Sequence, residues 1–419
     1  MAKSIHVKLL TILLLSILFP LATFGIREVG AGPSSLKRHA PIIIDGPSSF
    51  TPANGVTSGS GTANNPFIIQ GWSIDASTAN GIEIRNILNA DPIATPVYFV
   101  IRNVFIHAET RTHADIVLDS DASSPNLVCF ECPNNAFSGV IANSTLTDNA
   151  YGIVLANSNN IEVSGITIKD TGTGLQCVGS SFIQIRANRI ANSVKGVNLD
   201  CSVTDAFYNS IIDTDSGFLI GNYGSIDLER NSVATPRGFT LNGTASTIIR
   251  GNQIIGAAGL TTQLFQYAID MAETSAVSIE SNNITNSGPA QVRAGSSGVK
   301  IESCPVDTVS GQPLSCNTAI LRNTISVANS YGISLFAVQG VQVFHNNFLD
   351  NTIQAFDQTG QNTWDNGYPS GGNFWSDYLG VDNCSGPVQN ICPSPDGIGD
   401  TPHMFNFNED HYPLMTPFP

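Results

Sequence analysis

Aspartates in two short runs are the first candidates for chemistry in this sequence. Asp115, Asp119 and Asp121 form one run, and Asp213 with Asp215 forms another. Carboxylates that converge on one groove can act as general acid and base on a sugar. Alternating acids on a strand can share one face, so either run could serve chemistry. We favour solvated turn carboxylates and therefore name no catalytic residue.

Imidazole and thioether side chains gather near the C-terminus. The set comprises His403, Met404, His411 and Met415. Because soft and imidazole ligands suit copper, His403 and His411 are candidate copper ligands. His107 and His113 form a second pair, near a CxxC string. The C-terminal segment is also rich in aromatic residues that could cover the open end of a repeat structure, and we favour that capping role.

Calcium is a second metal to consider in the same segment. Residues 396–400 read Asp-Gly-Ile-Gly-Asp, which resembles the calcium loops of thrombospondin-type repeats. Calcium takes several closely placed oxygen ligands, and a glycine allows the tight turn. Asp396 and Asp400 are the candidate ligands, with Asp382 as a third. The Asp-x-Asp run that precedes such loops is missing and Pro395 adjoins the motif, so a structural role competes with calcium.

The chain has eight cysteines, an even number that is typical of an oxidising compartment. Two pairs bracket short Pro-containing loops, so we predict the local disulfides Cys304–Cys316 and Cys384–Cys392. Cys129 and Cys132 form a CxxC. No second CxxC exists to complete a zinc site, and we favour a small loop disulfide there over redox or zinc chemistry.

Four Asn-x-Ser/Thr sequons are candidate glycosylation sites in a host that glycosylates. Their asparagines are Asn143, Asn242, Asn283 and Asn383. Such matches are common by chance in a chain this rich in asparagine. They therefore carry meaning only if the chain enters a glycosylating compartment.

The sequence contains an internal repeat. One phrase, glycine followed by alternating apolar residues, begins at Gly152, Gly174, Gly196, Gly217 and Gly238, in steps of 22, 22, 21 and 21 residues. A second phrase, asparagine two positions before Ile or Val, begins at Asn188, Asn209, Asn231 and Asn252. Two independent marks with one period predict a solenoid.

Each repeat must consist of short strands and turns. Apolar and polar residues alternate within the phrases, as in a strand with one face inward, and Gly, Asn, Ser and Asp separate them. The prediction is an all-β, right-handed parallel β-helix with about 22 residues per coil. Leucine-rich repeats have a similar period but need a leucine frame. The predicted inward residues are Ile153, Leu155, Ile166, Ile168, Leu175, Ile183, Ile185, Ile190, Val197, Leu199, Ile211, Phe218, Phe239, Leu241 and Ile254.

Two details follow from this coil. The recurring asparagine tolerates a left-handed turn and can bond its neighbour in the next coil. Cys177 and Cys201 lie one coil apart but two positions out of register, an offset of about 6.6 Å along a strand. That offset strains a disulfide, so the two can instead be buried free thiols.

The predicted organisation has four parts. Residues 1–25 read as a secretory signal, because Lys3 and Lys8 flank an uncharged apolar run from Leu9 to Phe24; an uncleaved signal anchor is the alternative. Residues 26–40 form a linker, 41–360 the β-helix and 361–419 a C-terminal cap. Residues 107–138 break the period, and extra residues in 256–320 are expected to leave the solenoid as loops on one side. No later segment is apolar enough to predict a membrane span.

Composition narrows the function classes. The formal net charge is −15 and only 12% of residues are charged. A nucleic-acid binder would carry a basic face, so we expect no nucleic-acid partner. The balance suits a turn-rich β structure, and with the cysteines it favours a secreted, periplasmic or cell-surface protein.

Several strings resemble a known family. Residues 372–378 (GNFWSDY), 396–402 (DGIGDTP) and 410–415 (DHYPLM) look like the end of NosD-like right-handed β-helix proteins, and 66–74 (PFIIQGWSI) resembles their beginning. The resemblance implies an exported parallel β-helix of the type shared by carbohydrate-binding and sugar-hydrolase (CASH-type) proteins. It also implies either copper delivery to nitrous oxide reductase or carbohydrate binding and sugar hydrolysis, without choosing between them.

Our functional prediction is an exported β-helix that binds carbohydrate, or another extended polymer, without catalysis. The Asn-Thr-Asp, Asp-Asp and Gly-His-Gly strings of pectin hydrolases are absent, as is the Asp-Pro-His-Asp string of alginate epimerases. Gln263, Gln266, Tyr267 and Asp270 are expected to line the groove. The alternatives are a copper-binding NosD-like protein and a polysaccharide hydrolase or lyase. No cofactor is certain; calcium and copper are the candidates.

Overall fold

The computed structural model describes residues 36–87, 96–120, 137–221, 224–256, 267–286, 297–306, 314–327 and 331–419. The predicted signal segment, most of the predicted linker, Asp121, the Cys129–Cys132 string, Gln263 and Gln266 lie outside these residues. Leu36–Pro419 forms one compact unit. Among the described residues, no helix is long and apolar enough to cross a membrane.

Alternating short strands build three long sheets, because each coil supplies one strand to each sheet. Numbered along the chain from β1 to β39, sheet A contains β1 Lys37–His39, β5 Trp72–Asp75, β8 Phe105–His107, β11 Thr145–Thr147, β14 Thr167–Lys169, β17 Arg189–Ala191, β20 Ser210–Ile212, β23 Ser232–Thr235, β26 Gln253–Gly256, β29 Asn283–Asn286, β32 Thr324–Val327, β35 Asn347–Phe348 and β37 Phe374–Trp375. Sheet B contains β2 Ile42–Asp45, β6 Ile82–Arg85, β9 Ala114–Asp119, β12 Tyr151–Ala156, β15 Thr173–Val178, β18 Lys195–Asp200, β21 Ser216–Gly221, β24 Arg237–Asn242, β27 Tyr267–Ala272, β30 Ser297–Ile301, β33 Tyr331–Leu335 and β36 Ile353–Asp357. Sheet C contains β3 Val56–Ser58, β4 Phe67–Gln70, β7 Val97–Arg102, β10 Phe137–Ala142, β13 Ile161–Ser164, β16 Ile183–Arg186, β19 Thr204–Phe207, β22 Ile226–Glu229, β25 Thr247–Arg250, β28 Ser278–Glu280, β31 Thr318–Leu321 and β34 Val341–Phe344. Two 3-10 turns, Pro47–Ser49 and Pro52–Asn54, and a hairpin of β38 His403–Phe405 and β39 Asn408–Asp410 complete the described elements.

The predicted right-handed parallel β-helix is confirmed. Strands of successive coils pair in parallel and in register, so that Ile153 lies beside Leu175, Leu175 beside Val197 and Val197 beside Phe218. Two boundaries can be compared with expectation. Strand β1 lies inside the segment expected as a linker. The other boundary is a break in the period, as expected: Ile116 of β9 pairs with Ile153 although the two are 37 positions apart, against about 22 in the regular coils.

The interior is a continuous stack of apolar side chains. Every member of the predicted inward set is buried. The rings of Phe218 and Phe239 stack with centroids 5.1 Å apart. Glycine recurs at the start of the sheet-B strands because the coils approach closely: a Cβ on Gly152 would lie 2.6 Å from the carbonyl oxygen of Gly174.

The recurring asparagines form a buried ladder along one corner. Each asparagine donates its backbone N–H and its side-chain amide to the side-chain oxygen of the next, as Asn209 does to Asn231 at 2.9 Å in both bonds. The ladder runs through Asn188, Asn209, Asn231, Asn252, Asn282, Asn323, Asn346 and Asn373. The predicted bonding between coils is therefore present. The left-handed conformation belongs instead to the residue before the asparagine, for example Tyr208 with φ 60°.

The C-terminal segment packs against the last coils. Strand β37 pairs with β35, and the Trp375 ring stacks on Phe348 at 4.2 Å between centroids. Asp410, on β39, accepts hydrogen bonds from the backbone N–H of Asn373 at 2.7 Å and from the Trp375 indole at 2.9 Å. The carboxylate of Asp410 thus closes the asparagine ladder.

Three disulfides join described cysteines. Two are Cys304–Cys316 and Cys384–Cys392, which the sequence analysis proposed. The third joins Cys177 to Cys201, whose Cα atoms are 5.9 Å apart. Our alternative of free thiols was wrong, because the offset was worked out for a continuous strand. Strand β18 ends at Asp200, so Cys201 lies beyond the strand.

Candidate functional site

The outward face of sheet B is partly shielded over many consecutive coils. Along one register row the side chains are half-buried or buried. We call this row the sheet-B groove. Its residues are Val117, Val154, Gln176, Asn198, Leu219, Thr240, Asp270, Lys300, Ser334 and Phe356.

Long connections flank sheet B on both sides. Residues 257–266 and 287–296 precede β27 and β30, whereas 121–136 and 307–313 follow β9 and β30. All four lie outside the described residues. Our expectation that the extra residues of 256–320 leave the solenoid as loops on one side therefore falls outside the described residues.

A charged centre lies in the C-terminal half of the groove. The Lys300 ammonium is 3.8 Å from Asp270 Oδ1, is in contact with Glu302 Oε1 and lies 4.4 Å from the centre of the Tyr267 ring. Adjacent parallel strands bring Asp270 and Lys300 side by side although 30 residues separate them in sequence. The centre offers one aromatic ring and three charged groups to a ligand.

Burial governs the electrostatics of this centre. It raises the pKa of the Asp270 carboxyl above its usual range, against the opposite influence of the Lys300 charge. Burial also opposes the Lys300 charge, but the hydrogen bond to Glu302 and the charge of Asp270 raise the Lys300 pKa overall. Lys300 therefore stays protonated at neutral pH and is a hydrogen-bond donor rather than a base.

Uncharged polar groups continue the groove toward the N-terminus. The Asn198 side-chain amide donates to Gln176 Oε1 at 2.8 Å across neighbouring coils. Lys300, Glu302, Gln176 and Asn198 were not singled out from the sequence. The repeat period would have placed the two amides together, since they lie 22 residues apart, but the stretched spacing near Lys300 hid the charged centre.

The described aspartates of the two runs differ in their exposure. Asp115 is fully buried, Asp215 is buried and Asp213 is exposed. Our interpretation as solvated turn carboxylates was therefore wrong for Asp115 and Asp215. Alternation fails at Asp115 because this residue holds the repeat's inward glycine position, in register with Gly152.

Another acidic group lies on the outer face of sheet C. Asp205 and Asp227 are neighbours in adjacent coils, with Glu229 nearby. Burial raises the pKa of both aspartates, and the neighbouring carboxylates raise it further. Only the stacking of coils brings these acids together.

The candidate calcium residues hold turns of the chain. Asp382 accepts the backbone N–H groups of Asp396 and Gly397, and Asp400 accepts those of Asn383 and Cys384. Asp396 Oδ1 accepts the N–H of Ile398. These bonds occupy carboxylate oxygens that a calcium ion would need.

The candidate copper ligands have carboxylate partners. His411 Nδ1 lies 3.1 Å from Asp365 Oδ2, and His403 stacks on Trp375 with ring centroids 4.7 Å apart. Burial lowers the pKa of His403, although the charge of Asp377 acts in the opposite direction. The structure places the two histidines in separate contacts.

The four sequon asparagines, Asn143, Asn242, Asn283 and Asn383, are all exposed. They lie at strand ends or turns, where a glycan would meet no packed neighbour. Glycosylation at these positions stays a prediction.

The chain is similar to a known protein family in sequence. The family model described as "Periplasmic copper-binding protein (NosD)" matches residues 134–380, more than half of the chain. No functionally curated protein matches the sequence.

Solved structures share the architecture at low identity. The A-module of mannuronan C-5 epimerase AlgE6 of Azotobacter vinelandii is 14% identical with a TM-score of 0.44, over 71% of this chain and 81% of that chain. A tailspike protein of E. coli bacteriophage HK620, in complex with a pentasaccharide, is 12% identical with a TM-score of 0.40, over 67% of this chain and 55% of the tailspike. An alginate lyase from Paenibacillus sp. is 14% identical with a TM-score of 0.35, over 77% of this chain and 99% of the lyase. No statement about ligand or activity follows from these likenesses.

Copper, which the family description implies, can be tested against the residues present. Within the described ranges, no group of three or more His, Cys, Asp or Glu side chains could hold a metal ion. The six described cysteines are all in disulfides. The described part of the chain therefore shows no cluster of three or more such ligands, and His403 and His411 remain separate candidates.

Proposed function

The chain belongs to the NosD family of periplasmic copper-binding proteins, and we propose that this member is exported and binds an extended carbohydrate along the sheet-B groove. One observation carries the proposal: a partly buried, mainly polar row continues over ten coils of sheet B. Coils repeat about every 4.8 Å, so such a row suits a long repetitive ligand better than a small one. The family description and three disulfides support export.

The side chains of the groove suit a sugar polymer. The Tyr267 ring offers a face against which the apolar side of a sugar ring can pack, and Lys300 and Asp270 offer a donor and an acceptor to hydroxyl groups. The amides of Gln176 and Asn198 add further donors and acceptors.

The proposed activity is binding without turnover. A hydrolase needs one carboxyl group free to give a proton and a second free to act as base or nucleophile. Here the Lys300 ammonium lies between Asp270 and Glu302 and pairs with both. That pairing supports recognition more than acid–base catalysis.

Binding of purified mature protein to a panel of acidic and neutral polysaccharides tests the proposal. We expect Tyr267→Ala to weaken binding at least tenfold, and Tyr208→Ala, an exposed tyrosine outside sheet B, to leave it unchanged. Equal affinities of the two variants would refute the groove. Sustained release of reducing ends or unsaturated products would refute the non-catalytic claim.

Copper binding is the second candidate, because the family description names it. Metal content after equilibration with copper, compared for wild type and a His403→Ala/His411→Ala variant, separates the two functions. Tight copper binding that both histidines require, in a protein that binds no polysaccharide, would favour the metal carrier.

A further inference from the structure

A cavity opens at the N-terminal end of the β-helix, between the loop that precedes β4 and the start of β7. Its volume is about 480 Å³, within the range of about 300–1,000 Å³ that is usual for small-ligand sites. Phe67, Pro96 and Val97 form apolar walls, and Ser60, Thr62 and Tyr98 add hydroxyl groups.

The walls of the cavity are held in place from behind. The Phe67 ring stacks on Phe50 with centroids 4.6 Å apart and an interplanar angle of 9°. The Tyr98 backbone N–H donates to the Gly61 carbonyl at 3.0 Å, which ties the loop to β7. Gly61 has φ 78°, and a Cβ there would lie 2.4 Å from the Phe67 ring. A ligand would meet a preformed cavity, so little ordering would oppose binding.

The lining selects the chemistry of the ligand. None of the described lining residues is charged, although the whole chain carries a net charge of −15. The cavity therefore combines an aromatic and apolar surface with hydroxyl-bearing residues. Such a lining complements an uncharged ring with one apolar face and one hydroxylated edge.

We propose that this cavity is a second carbohydrate site, which holds one sugar ring of a neutral oligosaccharide. Charged sugars are disfavoured, because no cation in the lining would compensate the loss of water around a carboxylate. The cavity differs in this respect from the charged centre of the sheet-B groove. It also lies before residue 134, outside the part of the chain that the family model matches.

Isothermal titration calorimetry with neutral pentasaccharides tests the cavity, with xylopentaose, cellopentaose and mannopentaose as probes and a pentameric uronate as the charged comparison. We expect at least one neutral pentasaccharide to bind, and the uronate to bind independently of the cavity. Tyr98→Ala should weaken neutral binding at least tenfold. Ala63→Trp should block the cavity without removing a wall, which keeps the test valid if Tyr98→Ala fails to fold.

Crossed variants separate the two sites. Tyr267→Ala, in the groove, should leave neutral binding at the cavity unchanged. The inference is overturned if no neutral pentasaccharide binds, or if binding survives both Tyr98→Ala and Ala63→Trp. Neutral binding lost only in Tyr267→Ala would support the groove and overturn the cavity.

Discussion

Asp115 makes the stability of this protein depend on pH in a way that one substitution can reveal. Its side chain is fully buried at a register position where the adjoining coils have Gly81 and Gly152. Asn149 Nδ2 donates to Oδ1 at 3.1 Å, and Oδ2 has no hydrogen-bond partner among the described residues. Burial, with a smaller contribution from the charge of Asp148, raises the pKa from 3.8 to about 8. The folded protein therefore holds this carboxyl in its protonated form at neutral pH.

Asp115→Asn removes the titration and should flatten the pH profile. The folded pKa exceeds the unfolded value, so the stability from the protonated acid is complete below about pH 4 and declines as pH rises toward about 8. The decline is about 1.4 kcal/mol per pH unit, or about 3 kcal/mol between pH 5 and pH 7. Any misfit of the asparagine amide costs the same free energy at every pH and leaves the slope unaffected.

Urea unfolding at pH 5, 6 and 7 measures the effect as the difference in free energy of unfolding between wild type and variant. Asp119→Asn, on the same strand but only partly buried, is the matched control. Parallel curves for wild type and Asp115→Asn would show that the carboxyl is ionised in the folded state. That result would refute the argument from burial.

Three further predictions test the fold. Asn252→Ala should lower the free energy of unfolding in urea by about 3 kcal/mol, because it removes the acceptor of two hydrogen bonds in the ladder. Asn283→Ala, at an exposed position, is the control and should lower it by less than about 0.5 kcal/mol. Replacing both Cys177 and Cys201 by serine should cost about 3 kcal/mol and lower the thermal midpoint, and an unchanged midpoint would contradict a disulfide that constrains the chain. Asp410→Ala should cost about 3 kcal/mol, because it leaves the backbone N–H of Asn373 and the indole N–H of Trp375 unpaired. Tryptophan emission and a free energy of unfolding equal to those of the wild type would show that Asp410 does not hold the C-terminal segment in place.

The repeat architecture is readable from sequence because a β-helix is built by local rules. Alternation selects which side chains point inward, and a nearly constant period stacks like residues, so Ile153, Leu175 and Val197 form one buried row. The asparagine ladder follows from the same period, since each rung needs only the equivalent residue of the next coil.

Contacts that depend on backbone direction or on unequal loop lengths were decided by the tertiary structure. Period alone does not show that strand β18 ends at Asp200, so that Cys201 can join Cys177, or that Asp115 occupies an inward glycine position. Asp270 lies beside Lys300 because strands β27 and β30 pair in register, although 30 residues separate the two side chains in the sequence. The spacing of residues in the sequence therefore determined the solenoid and its core. Only the stacking of the coils decided which polar side chains share a surface. The reason is that hydrogen bonding between strands, and not distance along the chain, sets which side chains are neighbours.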